Sequence, residues 1–263
     1  MIRVCAVILI FLVSISLLAP LLAPEPPSAL DLDVRLSPPS QRHLLGTDEL
    51  GRDILSRLLF GGRISFLVSI AVVSFSLLIG LLLGLICGYR GGWIDEIFMR
   101  LADIVLAFPG ILMAIGIIAV LGPGLQNVVL ALVFIGWVSY ARLVRGLVLK
   151  FREFEFVTAS RSLGASSGRV VFRHILPNVI PAIIVQTSFG LAAAMLAESS
   201  LSFLGLGVQP PQPSWGNMLS DGKNHLLDAP YLTIFPGLAI FVAVLAFHLL
   251  GDSLRDQLDP HLR

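Results

Sequence analysis

The run ISFLVSIAVVSFSLLIGLLLGLIC (residues 64–87) contains no charged side chain. An α-helix needs about 20 apolar residues to cross the hydrocarbon core of a bilayer, and this run supplies them without interruption. Working outward, five more candidates stand at residues 4–23, 104–121, 125–141, 179–206 and 231–250. The fourth span keeps its apolar character past Arg142 and Arg145 to Leu149, the fifth carries one charge, Glu198, and the sixth has only His248 as an ionisable group. Periodicity does not separate a spanning helix from a buried soluble one for any single run. Six of this length in one chain make the soluble alternative untenable. The expected fold class is an all-α integral membrane protein with six transmembrane helices.

Composition supports the same class. The chain has 263 residues, 56% of them hydrophobic and only 13% charged, with a mean hydropathy of +0.90. Soluble domains carry about 25% charged residues, so half that fraction leaves much of the surface to face lipid. A net charge of +1 gives no reason to expect nucleic acid as a partner. Cys5 and Cys87 both lie in apolar runs, with no metal spacing and no disulfide framework. They read as small packing residues. The first span has a second reading as a signal peptide, because Arg3 precedes an apolar stretch. That stretch exceeds the usual 7–15-residue core and no A-x-A site follows, which favours a retained span.

Orientation follows from the basic residues. With the N-terminus inside, the cytoplasmic segments hold Arg3, Arg90, Arg100, Arg142, Arg145, Lys150, Arg152, Arg161, Arg169, Arg173, Arg255 and Arg263, which is 12 of the 18. Both termini are expected in the cytoplasm. The first outer loop, residues 24–63, opens Pro-rich and continues through Asp48, Glu49, Arg52 and Asp53. Those groups suit either coordination or a set of caps and ion pairs closing the loop over a pore. Ile54, Leu55, Leu58 and Leu59 suit a short amphipathic helix at the interface. The inner loop at 88–103 turns on Gly88, Gly91 and Gly92 and carries an i,i+4 pair, Glu96 with Arg100. The outer loop at 207–230 is Pro-rich, with Trp215 as an expected interfacial anchor.

The longest inner loop, residues 150–177, is also the most basic. A helix is expected over 153–163, broken by Gly164-Ala-Ser-Ser-Gly168. A second short helix is expected from Val170, interrupted by Pro177 and Pro181. Two short helices around a glycine corner make a knob with small residues at its tip. Another protein's backbone can approach such a tip closely. Glu198, near the outer end of the fifth span, reads either as a functional intramembrane acid or as a structural one bonded to Ser199 and Ser200. His248 reads as interfacial. No stretch matches the phosphate-binding G-x-x-x-x-G-K-[ST] loop, the H-E-x-x-H zinc motif or the G-x-S-x-G elbow. Neither ATP hydrolysis by a phosphate-binding loop, a zinc hydrolase nor a serine hydrolase is written here, so a transport subunit rather than an enzyme is expected.

The inner loop resembles the conserved cytoplasmic loop of ATP-binding-cassette (ABC) importer permeases. It reads Glu155-Phe-Val-Thr158-Ala159-Ser160-Arg161-Ser-Leu-Gly164-Ala165, then Leu176-Pro177-Asn178. Ala159, Gly164, Leu176 and Pro177 match the family pattern, while Thr158 and Ser160 stand where the family has Glu and Ala. The chain as a whole is similar to the C-type permease of the dipeptide, oligopeptide and nickel class. The similarity is carried by Gly46-Thr-Asp-Glu-Leu-Gly-Arg-Asp53 with Arg57, and by Gly88-Tyr-Arg-Gly-Gly-Trp-Ile-Asp95 with Phe108-Pro109. It continues through Glu198-Ser-Ser-Leu-Ser-Phe-Leu-Gly-Leu-Gly207 and Gly251-Asp-Ser-Leu-Arg-Asp-Gln-Leu-Asp-Pro260.

That resemblance implies a MetI-like helical bundle in the inner membrane of a prokaryote, split into residues 1–63 and a permease unit at 64–263. It implies that Glu155, Thr158, Ala159, Ser160, Arg161, Gly164, Ala165, Leu176 and Pro177 form the ATPase-docking coupling loop. Asp48, Arg52, Asp53 and Glu198 are the candidate gate or structural residues. The implied partners are a second related permease in a heterodimer, two cytoplasmic ATPases and an extracytoplasmic solute-binding protein. ATP and Mg would sit on the ATPases and no cofactor on this chain. Peptides are the expected solute, with nickel the alternative within the class. Outside it stand an ATP-independent channel, a secondary transporter and an inert scaffold.

Overall fold

The computed structural model describes residues 2–258. Pro260 and Arg263, which belong to the closing motif and the inner basic count, lie outside the described residues. Among the described residues the secondary structure is helical, apart from one isolated antiparallel bridge between Thr47 and Asp53. The helices are α1 (Ile2–Leu17), α2 (Ala19–Leu22), α3 (Ile54–Arg90), α4 (Gly92–Leu106), α5 (Gly110–Leu121), α6 (Leu125–Phe151), α7 (Glu155–Ser162), α8 (Ser167–Val170), α9 (Leu176–Phe203), α10 (Trp215–Gly222) and α11 (Tyr231–Leu258).

The six apolar runs fall on these helices with three adjustments. Helices α3, α6 and α11, and the continuous stretch Ser167–Phe203 ending in α9, are each long and apolar enough to cross a membrane. A fifth crossing is broken: α4 and α5 meet at a 90° bend. The bend falls at Phe108-Pro109, where proline removes a backbone donor and pushes the preceding residue out of helical geometry. The expected inner loop at 88–103 is therefore mostly helix, with only Gly91 at positive φ separating α3 from α4. The sixth run is the 16-residue α1 followed by the short α2, with Pro20 at the junction. The stretch at 54–60 is not a separate interfacial helix. It forms the first turns of the 37-residue α3, capped by the Asp53 carboxylate, which accepts from the Ser56 amide at 2.8 Å.

Helices α3 and α6 form the central pair. Gly80, Gly84 and Gly88 recur every fourth residue, so they share one face of α3. A Cβ built on Gly84 would lie 2.6 Å from Val144 Cβ and 2.8 Å from the Ala141 carbonyl; at Gly80 it would lie 2.5 Å from Tyr140 Cβ. Association within lipid depends on close packing rather than on hydrophobic burial, and the glycines provide that approach. Toward the C-terminal ends of α3 and α6 the pair is tied to α4. The Arg145 guanidinium donates two bonds to Asp95, one of them at 2.6 Å, and Arg142 donates to Asp103. The expected Glu96–Arg100 pair is present at 3.1 Å but fully on the surface. Helix α9 packs on α3 and α11, and α1 lies outside against α11 and α3.

Candidate functional site

At one end of the bundle, α6 leads into the knob. Helix α7 is closed by a Schellman motif: the Ala165 amide donates to the Ser160 carbonyl at 3.1 Å and the Gly164 amide to Arg161 at 2.9 Å. Gly164 has φ +82°, the left-handed turn that this motif needs. Ser166 then caps α8, its side chain accepting from the Arg169 amide. The knob is seated by Val157, which is fully buried among Val144, Val148, Val170 and Ile175. The Arg161 guanidinium stacks over the Tyr89 ring, 5.1 Å from its centroid.

The rest of the knob faces outward. Glu155, Thr158, Ala159, Arg161 and Gly164 are exposed, Ser160 and Ala165 partly so. Sequence reading missed the apolar groups beside them. Leu163 is 89% exposed and Phe172 67%, and Phe156 continues the patch. A leucine at the turn of a polar helix was the available signal. A Cβ built on Gly164 meets nothing within 4 Å, so that side of the corner is open.

Contrary to the sequence expectation, Pro177 and Pro181 do not interrupt the second helix. The chain passes from α8 through one π-helical turn, Val171–Ile175, into α9, with Pro177 in its first turn. A proline at that point cannot donate to the carbonyl four residues back. The wider π turn accommodates that loss, and the Asn178 side chain donates to the His174 carbonyl at 2.7 Å. Leu176 is half-buried on the anchor cluster and Pro177 is exposed.

The opposite end is organised differently. The Asp48 carboxylate is buried and accepts from the Leu50 and Arg52 amides at 2.9 and 3.0 Å, from Arg52 Nε at 2.7 Å and from Arg57 Nη1. Arg57 Nη2 continues to Asp221 at 3.0 Å and Asn217 at 3.3 Å, so loop 24–53 is bound to α10 through side chains only. Burial pushes the Asp221 carboxyl up, against the pull of Arg57 and Arg52. Asp53 caps α3 and also meets His43 Nδ1 at 3.1 Å. These are the caps and ion pairs of the sequence reading. Arg57 is their centre, and Asp221 was not foreseen.

Glu198 is fully buried near the outer end of α9. It accepts from Ser202 at 2.7 Å, Ser65 at 3.0 Å and Ser199 at 3.5 Å. Ser200, expected as a partner, instead donates to the Leu196 carbonyl at 2.8 Å. The i,i+4 geometry that brings Ser202 to Glu198 turns Ser200 away. Trp215 is not an interfacial anchor. It is 2% exposed, donates to the Leu58 carbonyl at 2.9 Å and meets Phe66 edge-on at 5.5 Å.

A bundle of broken and continuous apolar spans, with a glycine-cornered knob on one end and a polar clasp on the other, defines a multi-pass membrane protein. Residues 80–263 match the family model described as binding-protein-dependent transport system inner membrane component, and the chain belongs to that family. It is 44% identical over 257 residues to a dipeptide transport system permease protein of Alkalihalophilus pseudofirmus, covering 98% of this chain and 84% of the relative. It is 48% identical over 225 residues to a glutathione transport system permease protein of Pectobacterium atrosepticum, covering 86% and 75%. The fold is similar to that in an inward-facing structure of the MetNI methionine ABC transporter, with a TM-score of 0.62 at 18% identity, covering 78% of this chain and 98% of that one.

Proposed function

We propose that this chain is one of two pore-forming permease subunits of an ABC importer for di- and oligopeptides. The observation that carries the reading is the knob: a rigid, glycine-cornered helix seated by one buried valine, with Leu163 and Phe172 left bare beside it. Bare apolar groups at the end of a membrane bundle are suited to a protein partner. The relatives' names support peptides as the solute.

In this reading two cytoplasmic ATPases receive the knob and its counterpart on a second, related permease, and both bind ATP and Mg. A solute-binding protein delivers the peptide from outside, and both termini are cytoplasmic. Residues 1–63 serve as the outer cap and residues 64–263 as the conducting unit. ATP-driven closure of the ATPases carries α7 with it and biases the bundle between inward- and outward-facing states.

The test is Gly164→Asp. Asp tolerates positive φ better than most residues, and nothing within this chain fills the space around Gly164. The variant is expected to reach the membrane at normal levels while ATP-dependent peptide uptake falls at least about tenfold, since one clash or buried charge exceeds 1.4 kcal/mol. Normal uptake by the variant would defeat the docking role. Wild-type uptake that ignores ATP depletion would defeat the importer reading.

A further inference from the structure

At the clasp end, the first turns of α3, the loop after α2 and the segment before α10 form a cleft of about 330 Å³, within the 300–1,000 Å³ typical of ligand sites. Ser28 lines it from the first loop, Gln212 from the second, and Arg63 and Leu67 from α3. Three prolines, at 27, 211 and 213, complete the walls.

Arg63 is the anomalous group. It immediately precedes the charge-free run 64–87, so it stands where α3 enters the hydrocarbon. Nearby in sequence, Arg42, Arg52 and Arg57 each meet a carboxylate. Arg63 meets none among the described residues; its guanidinium lies over the Phe60 ring, 5.9 Å from the centroid. The lining of the cleft contains no Asp or Glu.

The other polar side chains of the cleft are also unused. Ser28 and Gln212 make no side-chain hydrogen bond among the described residues. The prolines are stiff and bring no N–H donor. An anion in the cleft would therefore be met by a guanidinium, a hydroxyl and an amide, all able to donate.

Below the cation runs an apolar track. Leu67, Ile70 and Leu78 stand four, seven and fifteen residues after Arg63, on the same face of α3. Each is more than half exposed. Fifteen helical residues rise about 22 Å, more than half of the roughly 30 Å hydrocarbon core. A walled cation above an apolar track of one leaflet's depth fits an amphiphile.

We propose that this cleft binds the phosphate head of an anionic phospholipid, with an acyl chain laid along Leu67 and Ile70. A guanidinium donates two parallel bonds to a phosphate. A zwitterionic lipid brings its own cation to its phosphate, so an anionic head gains most from Arg63. An arginine that only reached for water would need no walls, and a soluble anion would make no use of the track. The site does not depend on which solute the protein carries.

The experiment uses the complex purified through a tag on this chain, stripped of lipid in mild detergent. It is titrated with phosphatidylglycerol or phosphatidylcholine, and bound lipid is counted by native mass spectrometry. In Arg63→Gln, one tightly held phosphatidylglycerol is expected to weaken about tenfold, with the loss of a charge-assisted pair. Arg63→Lys keeps the charge without the fork and should fall between. Gln212→Leu should weaken the same lipid about threefold, as one hydrogen bond is lost. Phosphatidylcholine should respond far less in every variant. The lipid-free thermal midpoint of Arg63→Gln should match the wild type, because Arg63 has no carboxylate partner in the chain.

Equal retention of phosphatidylglycerol by the wild type and Arg63→Gln would overturn the site. So would an equal loss of phosphatidylcholine, which would make the charge of the head irrelevant. Displacement of the lipid by inorganic phosphate at matched concentration would mark a free-anion site instead. A lower lipid-free midpoint in Arg63→Gln, with Gln212→Leu binding as the wild type does, would mark Arg63 as structural. If Arg63→Gln fails to accumulate, Gln212→Leu decides the question by the same measurement.

Discussion

The two ends of the bundle handle their polar groups in opposite ways. At the end that carries the clasp, Asp48, Arg52 and Arg57 are all less than a tenth exposed, both arginines bind Asp48, and Asp221 closes the set. Two arginines meet two carboxylates, so the cluster is neutral and joins loop 24–53 to α10. At the knob end, Val157 seats α7 and Val170 seats α8 on one apolar cluster, and the knob's charged and small residues face outward. The difference lies in where the polar groups end: those of the clasp are met within the chain, and those of the knob lie on its surface, as the proposed docking role requires.

Breaking the outer clasp should have the largest effect. Asp48→Ala leaves the Arg52 and Arg57 guanidinium groups buried without their shared carboxylate. Removing one partner of a buried pair costs about 3–5 kcal/mol. The variant is expected to accumulate poorly in the membrane, and any purified protein should melt well below the wild type. If its midpoint fell no further than that of a surface substitution, the clasp would be ornamental and the contrast between the ends would fail.

Loosening the inner anchor should do less. Val157→Ala removes two buried methyl-sized groups at about 0.8 kcal/mol each, or about 1.5 kcal/mol. Because Val157 is the one buried side chain of α7, hydrogen exchange should accelerate in α7 and α8 while loop 24–53 keeps its protection. Faster exchange at both ends would mean that the ends are coupled through the bundle and are not separate units.

The same contrast explains what was legible in the sequence. Charge-free runs mark spans because lipid penalises charge wherever it falls along them, so all six runs match a helix to within a few residues on at least one side. The 90° break within the third was not readable, because a single Pro109 redirects the chain without lowering hydropathy. The glycine corner of the knob was readable because Gly164 is a local requirement of the turn. Asp221 and the Ser65 partner of Glu198 were not, since each lies 133 or more positions from its partner. The Gly80, Gly84, Gly88 ladder was visible in the sequence as a four-residue repeat, but only the structure shows that α6 fills it.

The smallest expected effect sharpens the account of the outer clasp. Burial raises the Asp221 carboxyl from its ordinary value. The folded state therefore holds that proton more tightly than the unfolded chain does. The stabilising contribution is fully present below the unfolded value of about 3.9 and is lost as pH rises through the higher folded value. Because the side chain is 34% exposed, solvent screening keeps the effect within about 1 kcal/mol. The difference in thermal midpoint between the wild type and Asp221→Asn, followed from pH 4 upward, should shift against the wild type as pH rises. A shift the other way would mean that Arg52 and Arg57 outweigh burial and hold Asp221 charged, making it a full member of the clasp rather than its half-wet rim.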